Sequence, residues 1–155
     1  MTNSDNWLVH DHSMYEELLS QCQDAVGMED WRSAETAFGE LVWHMKGHMA
    51  MEEEVLYPAY DARIPTPNGP TDALRDEHDN IVRLVSDMSR LLKSHDSEHV
   101  FECLTHLENL MIKHHEKEED IFLPMASLLL EENRTDLMQQ LSTFDATKSK
   151  RKWNV

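Results

Sequence analysis

Two stretches of the chain pair a histidine with a glutamate four residues later. HMAMEEEVLYP begins at His48 and contains Glu52, and HHEKEEDIFLP begins at His114 and contains Glu118. Residues four apart lie on the same face of an α-helix, so the two side chains of each pair would point the same way. Imidazole and carboxylate groups bind iron, manganese or zinc. One such pair is a weak indication, but its repetition after 66 residues strengthens the prediction of a metal site.

The same offset relates two further histidines on predicted helices. His12 lies on the apolar stripe of the first helix, and His78 lies at the matching place on the third. A histidine on an apolar stripe is more often a core residue than a ligand when it is taken alone. His10 is the main rival to His12 for an inward position.

Four long helices must position these residues. Only four Gly and five Pro in 155 residues favour helices over a turn-rich β architecture. Apolar periodicity, caps and breakers predict helices from Ser4 or Asp5 to Val26, from Asp30 to Pro58, from Thr71 to Lys93, and from the turn at residues 94–97 to Pro124. A loop rich in proline at residues 62–72 separates the two halves.

The predicted fold is all-α. It is an antiparallel up-down four-helix bundle, built from two helical hairpins repeated at a 66-residue offset, with a short further helix within residues 125–144. Residues 1–145 form one domain, and the Lys-rich residues 146–155 are expected to be a basic, flexible tail.

Composition limits the classes of partner. The formal charge of −16 disfavours binding to nucleic acid or to an anionic membrane. No stretch resembles a signal peptide or a membrane span, and Cys22 and Cys103 lack the spacing of a redox or zinc pair. These features predict a cytoplasmic protein with reduced thiols.

A bundle of this kind brings six metal-binding side chains together. Each helix contributes one inward histidine, and the second and fourth helices add a glutamate one turn below it. Because burying an unpaired carboxylate is costly, a cation is expected between them. Two carboxylates that can bridge suit a pair of metal ions. The predicted ligands are His12, His48, Glu52, His78, His114 and Glu118.

The helix directions predict which side of the metals is open. With the glutamates on one side, the residues on the other side, and hence the predicted ligand pocket, are Tyr15, His44, Ile81 and Leu110. His44 breaks the repeat because Leu110 is its counterpart. Three roles for His44 follow: a fifth histidine ligand, a distal hydrogen-bond donor, or a core residue. His95, His99 and His115 are predicted to be surface residues.

The order of these residues resembles that of the hemerythrin-like proteins of the HHE cation-binding family. The pattern H, HxxxE, H, HxxxE is matched within residues 5–126. The resemblance implies a non-haem centre of two iron ions with bridging glutamates and terminal histidines, able to meet dioxygen, nitric oxide or peroxide; manganese and zinc remain compatible. Oxygen-carrying hemerythrins have a further histidine where Leu74 stands and a later Asp in place of Glu118. These departures favour other chemistry than reversible oxygen carriage.

Three functions are therefore open on sequence alone. The first is binding or sensing of dioxygen or nitric oxide. The second is an enzyme that breaks down peroxide or reduces nitric oxide, or a protein that donates iron for cluster repair. The third is an iron-holding bundle without turnover. No nucleophile or phosphate loop is recognisable, so the ligand should be very small.

Overall fold

The residues that the structure describes form helices, turns and short connections, without a strand. The structure is a computed structural model and describes residues 6–65 and 67–155, with side chains from His10 onward. The chain is thus all-helical over these ranges, as the composition predicts. The predicted cap at Ser4 or Asp5 lies outside the described residues.

Seven α-helices follow one another along the described chain. They are α1 (Asn6–Gly27), α2 (Trp31–Met51), α3 (Tyr57–Arg63), α4 (Pro70–Leu92), α5 (Ser97–Lys117), α6 (Leu123–Leu129) and α7 (Arg134–Ser142). Two π-helical turns, Glu52–Leu56 and Glu118–Phe122, join α2 to α3 and α5 to α6 without a break.

Aspartate caps begin two of the long helices. The Asp30 side chain accepts a hydrogen bond from the backbone N–H of Ser33 at 3.2 Å, at the start of α2. The Asp96 side chain accepts one from the backbone N–H of His99 at 3.3 Å, at the start of α5. Each bond satisfies one of the amides that a helix start leaves unpaired. These caps fix where the second helix of each half begins.

The long helices pack in pairs. Helix α1 packs on α2 and α4 packs on α5, while α1 also contacts α5 and α2 contacts α4. These contacts are consistent with a helical bundle. They bury one large apolar cluster, here called the long-helix cluster, which includes Tyr15, Leu19, Leu41, Met45, Ile81 and Leu104.

A second, smaller cluster lies beside the π turns. It is called the π-turn cluster and consists of Leu56, Tyr57, Tyr60, Leu74, Phe122, Leu123, Ala126 and Leu130. Tyr57 packs edge-on against Phe122 with ring centroids 5.3 Å apart. Each cluster contributes one ring that lies against an inward histidine: Tyr15 contacts His48, and Tyr57 contacts His78.

The prolines predicted to end or kink the second and fourth helices lie within helical segments that continue past them. Pro58 and Pro124 each occupy the first turn of a new helix, α3 and α6, where a missing N–H does not matter. The irregularity falls on the preceding residues as a π turn. A proline ring crowds the carbonyl four residues earlier, and the wider π turn relieves this crowding.

The C-terminal region is packed against the rest of the chain. The predicted helix within residues 125–144 is present as α6 and α7, separated at Glu131–Asn133 by a 3-10 turn. The segment Ala146–Lys148 contacts α2, and Trp153 packs against the long-helix cluster. Residues 146–155, predicted to be a basic, flexible tail, thus make contacts with α2 and with the long-helix cluster. The flexibility of this tail and the division of the domain at residue 145 stay predictions.

Candidate metal centre

The structure brings the six predicted ligands together in the interior. Their exposed fractions are between 0% and 3%. They form two overlapping groups, in each of which one ligand atom per residue lies within 4.8 Å of the others. The first group is His12, His48, Glu52 and Glu118, and the second is Glu52, His78, His114 and Glu118. The two glutamates are therefore shared.

The inward-facing nitrogen and oxygen atoms of these side chains lie within contact distance of one another. His48 Nε2 is 2.5 Å from Glu52 Oε1, and His114 Nε2 is 2.5 Å from Glu118 Oε1, so both i, i+4 pairs close as their spacing predicts. Glu52 also reaches the second group, because its Oε2 lies 2.9 Å from His78 Nε2. One carboxylate thus contacts histidines of both groups.

Two inward atoms have no hydrogen-bond partner in the described part of the chain. They are His12 Nε2 and Glu118 Oε2, both buried. Buried polar atoms without partners are costly and rare in folded proteins. Nitrogen and oxygen donors that converge in this way match the coordination needs of a divalent metal ion. The residues therefore fit bound metal.

Each inward histidine is oriented by a carboxylate behind it. Since a carboxylate only accepts hydrogen bonds, the Nδ1–H donates outward and Nε2 is left to face the centre. The four distances are 2.8 to 2.9 Å, for His12 with Glu119, His48 with Asp11, His78 with Glu53, and His114 with Glu77.

The sequence contains a signal for these outer carboxylates that our sequence analysis missed. Asp11 and Glu77 directly precede inward histidines, and Glu53 and Glu119 directly follow the inward glutamates. Both pairs keep the 66-residue offset. In the first π turn, two consecutive acids contact different atoms of the same ring. Glu52 contacts His78 Nε2, and Glu53 contacts His78 Nδ1.

Burial and neighbouring charges shift the pKa values of the inward groups in different directions. Burial, with a contribution from nearby His48, lowers the pKa of His12 to about 3. Burial also opposes the charged form of His48, but the attraction of Glu52 outweighs it and raises the pKa of His48 to about 10. Burial and the charge of Glu52 raise the pKa of Glu118, whereas His48 and His78 overcome burial and lower that of Glu52.

Two of the four residues predicted to form a ligand pocket line a small cavity, whose role as a ligand pocket stays a prediction. A cavity of about 10 Å³, near the lower limit for one water molecule, lies against the inward histidines. Tyr15 and Ile81 line it, but His44 and Leu110 do not. The other lining residues besides His48, His78 and His114 are Met45, Met49, Met111 and His115.

His44 lies beside the cavity and not in it. Its backbone carbonyl accepts a hydrogen bond from the Tyr15 hydroxyl at 3.2 Å, and its ring packs edge-on against exposed Trp43. The half-buried His44 ring lies against the neighbouring Trp43 instead. Only its backbone supports the pocket.

His115 is not the surface residue that the sequence analysis predicts. Its ring stacks on His12 with centroids 3.5 Å apart and an interplanar angle of 10°, and it lies 5.9 Å from the ring of Tyr15. Burial, with the neighbouring His12, lowers the pKa of His115 to about 2. His115 is thus a neutral imidazole in the cavity wall. By contrast, His10, His95 and His99 are exposed.

A comparison with protein-family models supports this site. The model of the hemerythrin HHE cation-binding domain matches residues 3–126. The chain belongs to the hemerythrin HHE cation-binding family. The matched range contains all six inward ligands and the four outer carboxylates, so the HHE domain includes the whole centre.

Two further comparisons and a membrane search complete the description. Neither the curated proteins nor the solved structures contain a significant match to this HHE chain. Among the described helices, none combines the length and the apolar character needed to cross a membrane.

Proposed function

We propose that this HHE protein holds two iron ions and binds dioxygen, nitric oxide or peroxide at them. The observation that supports this most is the sharing of Glu52 and Glu118 between the two groups of buried ligands. Two histidines and shared carboxylates for each ion resemble the donor set of non-haem iron sites that keep open positions. An iron pair, once bound, supplies the electrons and the open positions that such ligands require.

The surrounding residues fix the ligands and restrict access. Outer carboxylates hold all four imidazoles, and the Tyr57 hydroxyl donates to Glu52 Oε2 at 3.1 Å. The cavity lined by Tyr15, Ile81, three methionines and His115 admits only a very small molecule. Its largely apolar wall excludes bulk water from the centre.

We propose that four long helices supply this frame as an antiparallel up-down bundle of two hairpins. The contacts of α1 with α2 and of α4 with α5 are those of the two hairpins, and the contacts of α1 with α5 and of α2 with α4 join them. Free Cys22 and Cys103 support a reducing, cytoplasmic setting, and the charge of −16 argues against nucleic acid as a partner.

Metal analysis of freshly purified protein tests the proposal. We expect two iron ions per chain and an optical spectrum that changes with air, azide or nitric oxide. His12→Ala should lower the iron content, while His10→Ala, an exposed histidine two residues away, should leave it unchanged. Two zinc or manganese ions would contradict the choice of iron, and a chain that binds no metal would contradict the site itself.

The same preparation separates binding from turnover. A protein that binds these ligands shows a stable spectral change with one equivalent of peroxide or nitric oxide. An enzyme that breaks down peroxide or reduces nitric oxide consumes many equivalents. An iron-holding or cluster-repair protein instead releases iron to an acceptor without either response.

A further inference from the structure

The C-terminal segment 146–155 lies across the outside of the centre. Trp153 packs against the long-helix cluster, and Lys46 Nζ lies 5.8 Å from the centroid of its ring. The Ser86 hydroxyl donates a hydrogen bond to the carbonyl of Asn154 at 2.9 Å. These contacts with α2 and α4 fix the backbone of the residues that directly follow Arg151 in the chain.

Arg151 uses this position to bind two acidic side chains. Its Nε lies 3.1 Å from both carboxylate oxygens of Glu53, and its Nη2 lies 2.6 Å from Glu53 Oε1. Its Nη1 donates to Asp79 Oδ1 at 2.7 Å. The side chains of Arg151 and Glu53 are 19% and 14% exposed, so this is a largely buried, forked ion pair.

Glu53 connects this ion pair to the metal centre. The oxygen Oε1, which accepts from Arg151, also accepts from His78 Nδ1 at 2.8 Å. On the opposite ring edge, His78 Nε2 lies 2.9 Å from Glu52 Oε2. A continuous series of contacts therefore runs from Arg151 through Glu53 to His78 and the shared glutamate.

We propose that Arg151 is a positioning residue for the metal position served by His78. This inference rests on the proposed function. The Glu53 side chain has several rotatable bonds, and the guanidinium fork fixes it in the one arrangement that orients the His78 ring. Outer partners of this kind affect metal affinity strongly because they set the direction of the ligand's lone pair.

The corresponding place in the other half has a different environment. Glu119 matches Glu53 in the repeat and accepts from His12 Nδ1 at 2.8 Å, but its side chain is 32% exposed. Its neighbours Asp120 and Glu16, together with burial, raise its pKa. The C-terminal segment thus acts on one of two related positions, and it makes the two metal positions unequal.

If Arg151 acted only through its charge, replacing it would change the metal affinity in the opposite direction to a loss of positioning. Arg151 is a cation near a cationic centre, so removing only its charge would strengthen metal binding. Loss of positioning would weaken it. Arg151→Lys separates the two effects, because lysine keeps the charge but cannot form the planar fork on Glu53.

Co²⁺ titration against a competing chelator provides the test, since Co²⁺ reports its coordination optically. We expect the unaltered chain to bind two Co²⁺ ions, and Arg151→Gln to weaken one of them by roughly tenfold. Arg151→Lys should weaken the same ion. Lys150→Gln and Lys152→Gln remove an equal charge from exposed neighbours and should leave both affinities unchanged.

A spectrum of the metal-free protein gives a second readout. In an NMR spectrum of protein with ¹⁵N-labelled histidine, the Nδ1–H proton of His78 should exchange with solvent faster in Arg151→Gln, and its signal should be lost. The corresponding signal of His114, held by Glu77, serves as the internal control.

The outcomes distinguish the two proposals. Unchanged or tighter Co²⁺ binding by Arg151→Gln, in a chain that still binds two ions, overturns the positioning role and leaves the proposed function intact. A folded wild-type chain that binds no Co²⁺ and no iron overturns the proposed function, and the inference with it.

Discussion

Replacing each shared glutamate by glutamine should have unequal effects on the metal-free protein. Glu52 and Glu118 are equivalent in the repeat, and glutamine keeps the shape of the side chain while removing its charge. Glu52 is approached by His48 Nε2 at 2.5 Å, His78 Nε2 at 2.9 Å and the Tyr57 hydroxyl at 3.1 Å. Glu118 is approached by His114 Nε2 at 2.5 Å, and its other close neighbour is the carboxyl group of Glu52, which does not offset a negative charge.

The size of the difference follows from these contacts. His48 and His78 lower the pKa of Glu52 despite burial, so the metal-free chain holds it ionised. Breaking a buried ion pair costs about 3 kcal/mol or more. At about 2 to 4 °C per kcal/mol for a chain of this length, Glu52→Gln should melt roughly 6 to 12 °C lower. Burial and Glu52 raise the pKa of Glu118, so Glu118→Gln replaces a protonated group and should cost about 1 kcal/mol or less.

Thermal unfolding of the chelated proteins, followed by circular dichroism, measures this difference. Both variants should also lose bound metal, because glutamine is a poor bridging ligand. Glu116→Gln, an exposed acid two residues before Glu118, is the matched control and should change neither property. Equal melting temperatures for the two metal-free variants would refute the argument that the donors around Glu52 make the glutamates unequal.

Three further predictions concern the metal, the cavity and pH. Removing both metal ions should lower the melting temperature by about 11 to 22 °C relative to protein with free metal at 100 times the Kd of each site, and adding metal should restore it. His115→Leu should change the azide or nitric oxide spectrum of the loaded protein, whereas His44→Leu should not, because only His115 lines the cavity beside Tyr15; the reverse result would restore the predicted role of His44. In metal-free protein, the folded chain keeps a proton on Glu118 that the unfolded chain loses above the usual pKa of 4.5. The free energy of unfolding should therefore fall as the pH rises above 4.5. Glu118→Gln should abolish this pH dependence. The lowered pKa of His12 has the opposite effect. As the pH falls from 6.5 towards about 3, His12 takes up a proton in the unfolded chain but not in the folded chain, so the free energy of unfolding decreases. Melting temperatures measured across this pH range report both effects.

The inward residues could be predicted because their pattern violates the ordinary rules of an amphipathic helix. Glu52 and Glu118 stand where core residues belong, and their spacing from His48 and His114 is local to one helix. Periodicity therefore locates them without knowledge of distant contacts. The structure shows these side chains buried and facing each other.

Residues whose partners lie far along the chain could not be predicted in the same way. The acids behind the histidines are hidden among 30 acidic residues, most of which are exposed, and only their repetition distinguishes them. Arg151 binds Glu53 across 98 residues, and His115 stacks on His12 across the bundle. Helix direction does not fix a side-chain rotamer, so the packing of the His44 ring against Trp43 could not be predicted either.

The two π turns have a consequence for motion. A π turn replaces the regular i to i+4 bonds with longer loops of poorer geometry, so it is a weak point in an otherwise continuous helix. Both weak points, Glu52–Leu56 and Glu118–Phe122, begin at a shared glutamate. Local opening at these turns would move the carboxylates first and leave the histidines on α1 and α4 in place. Loosening of these two short segments would therefore be enough to uncover the shared carboxylates, while the long-helix cluster stayed closed.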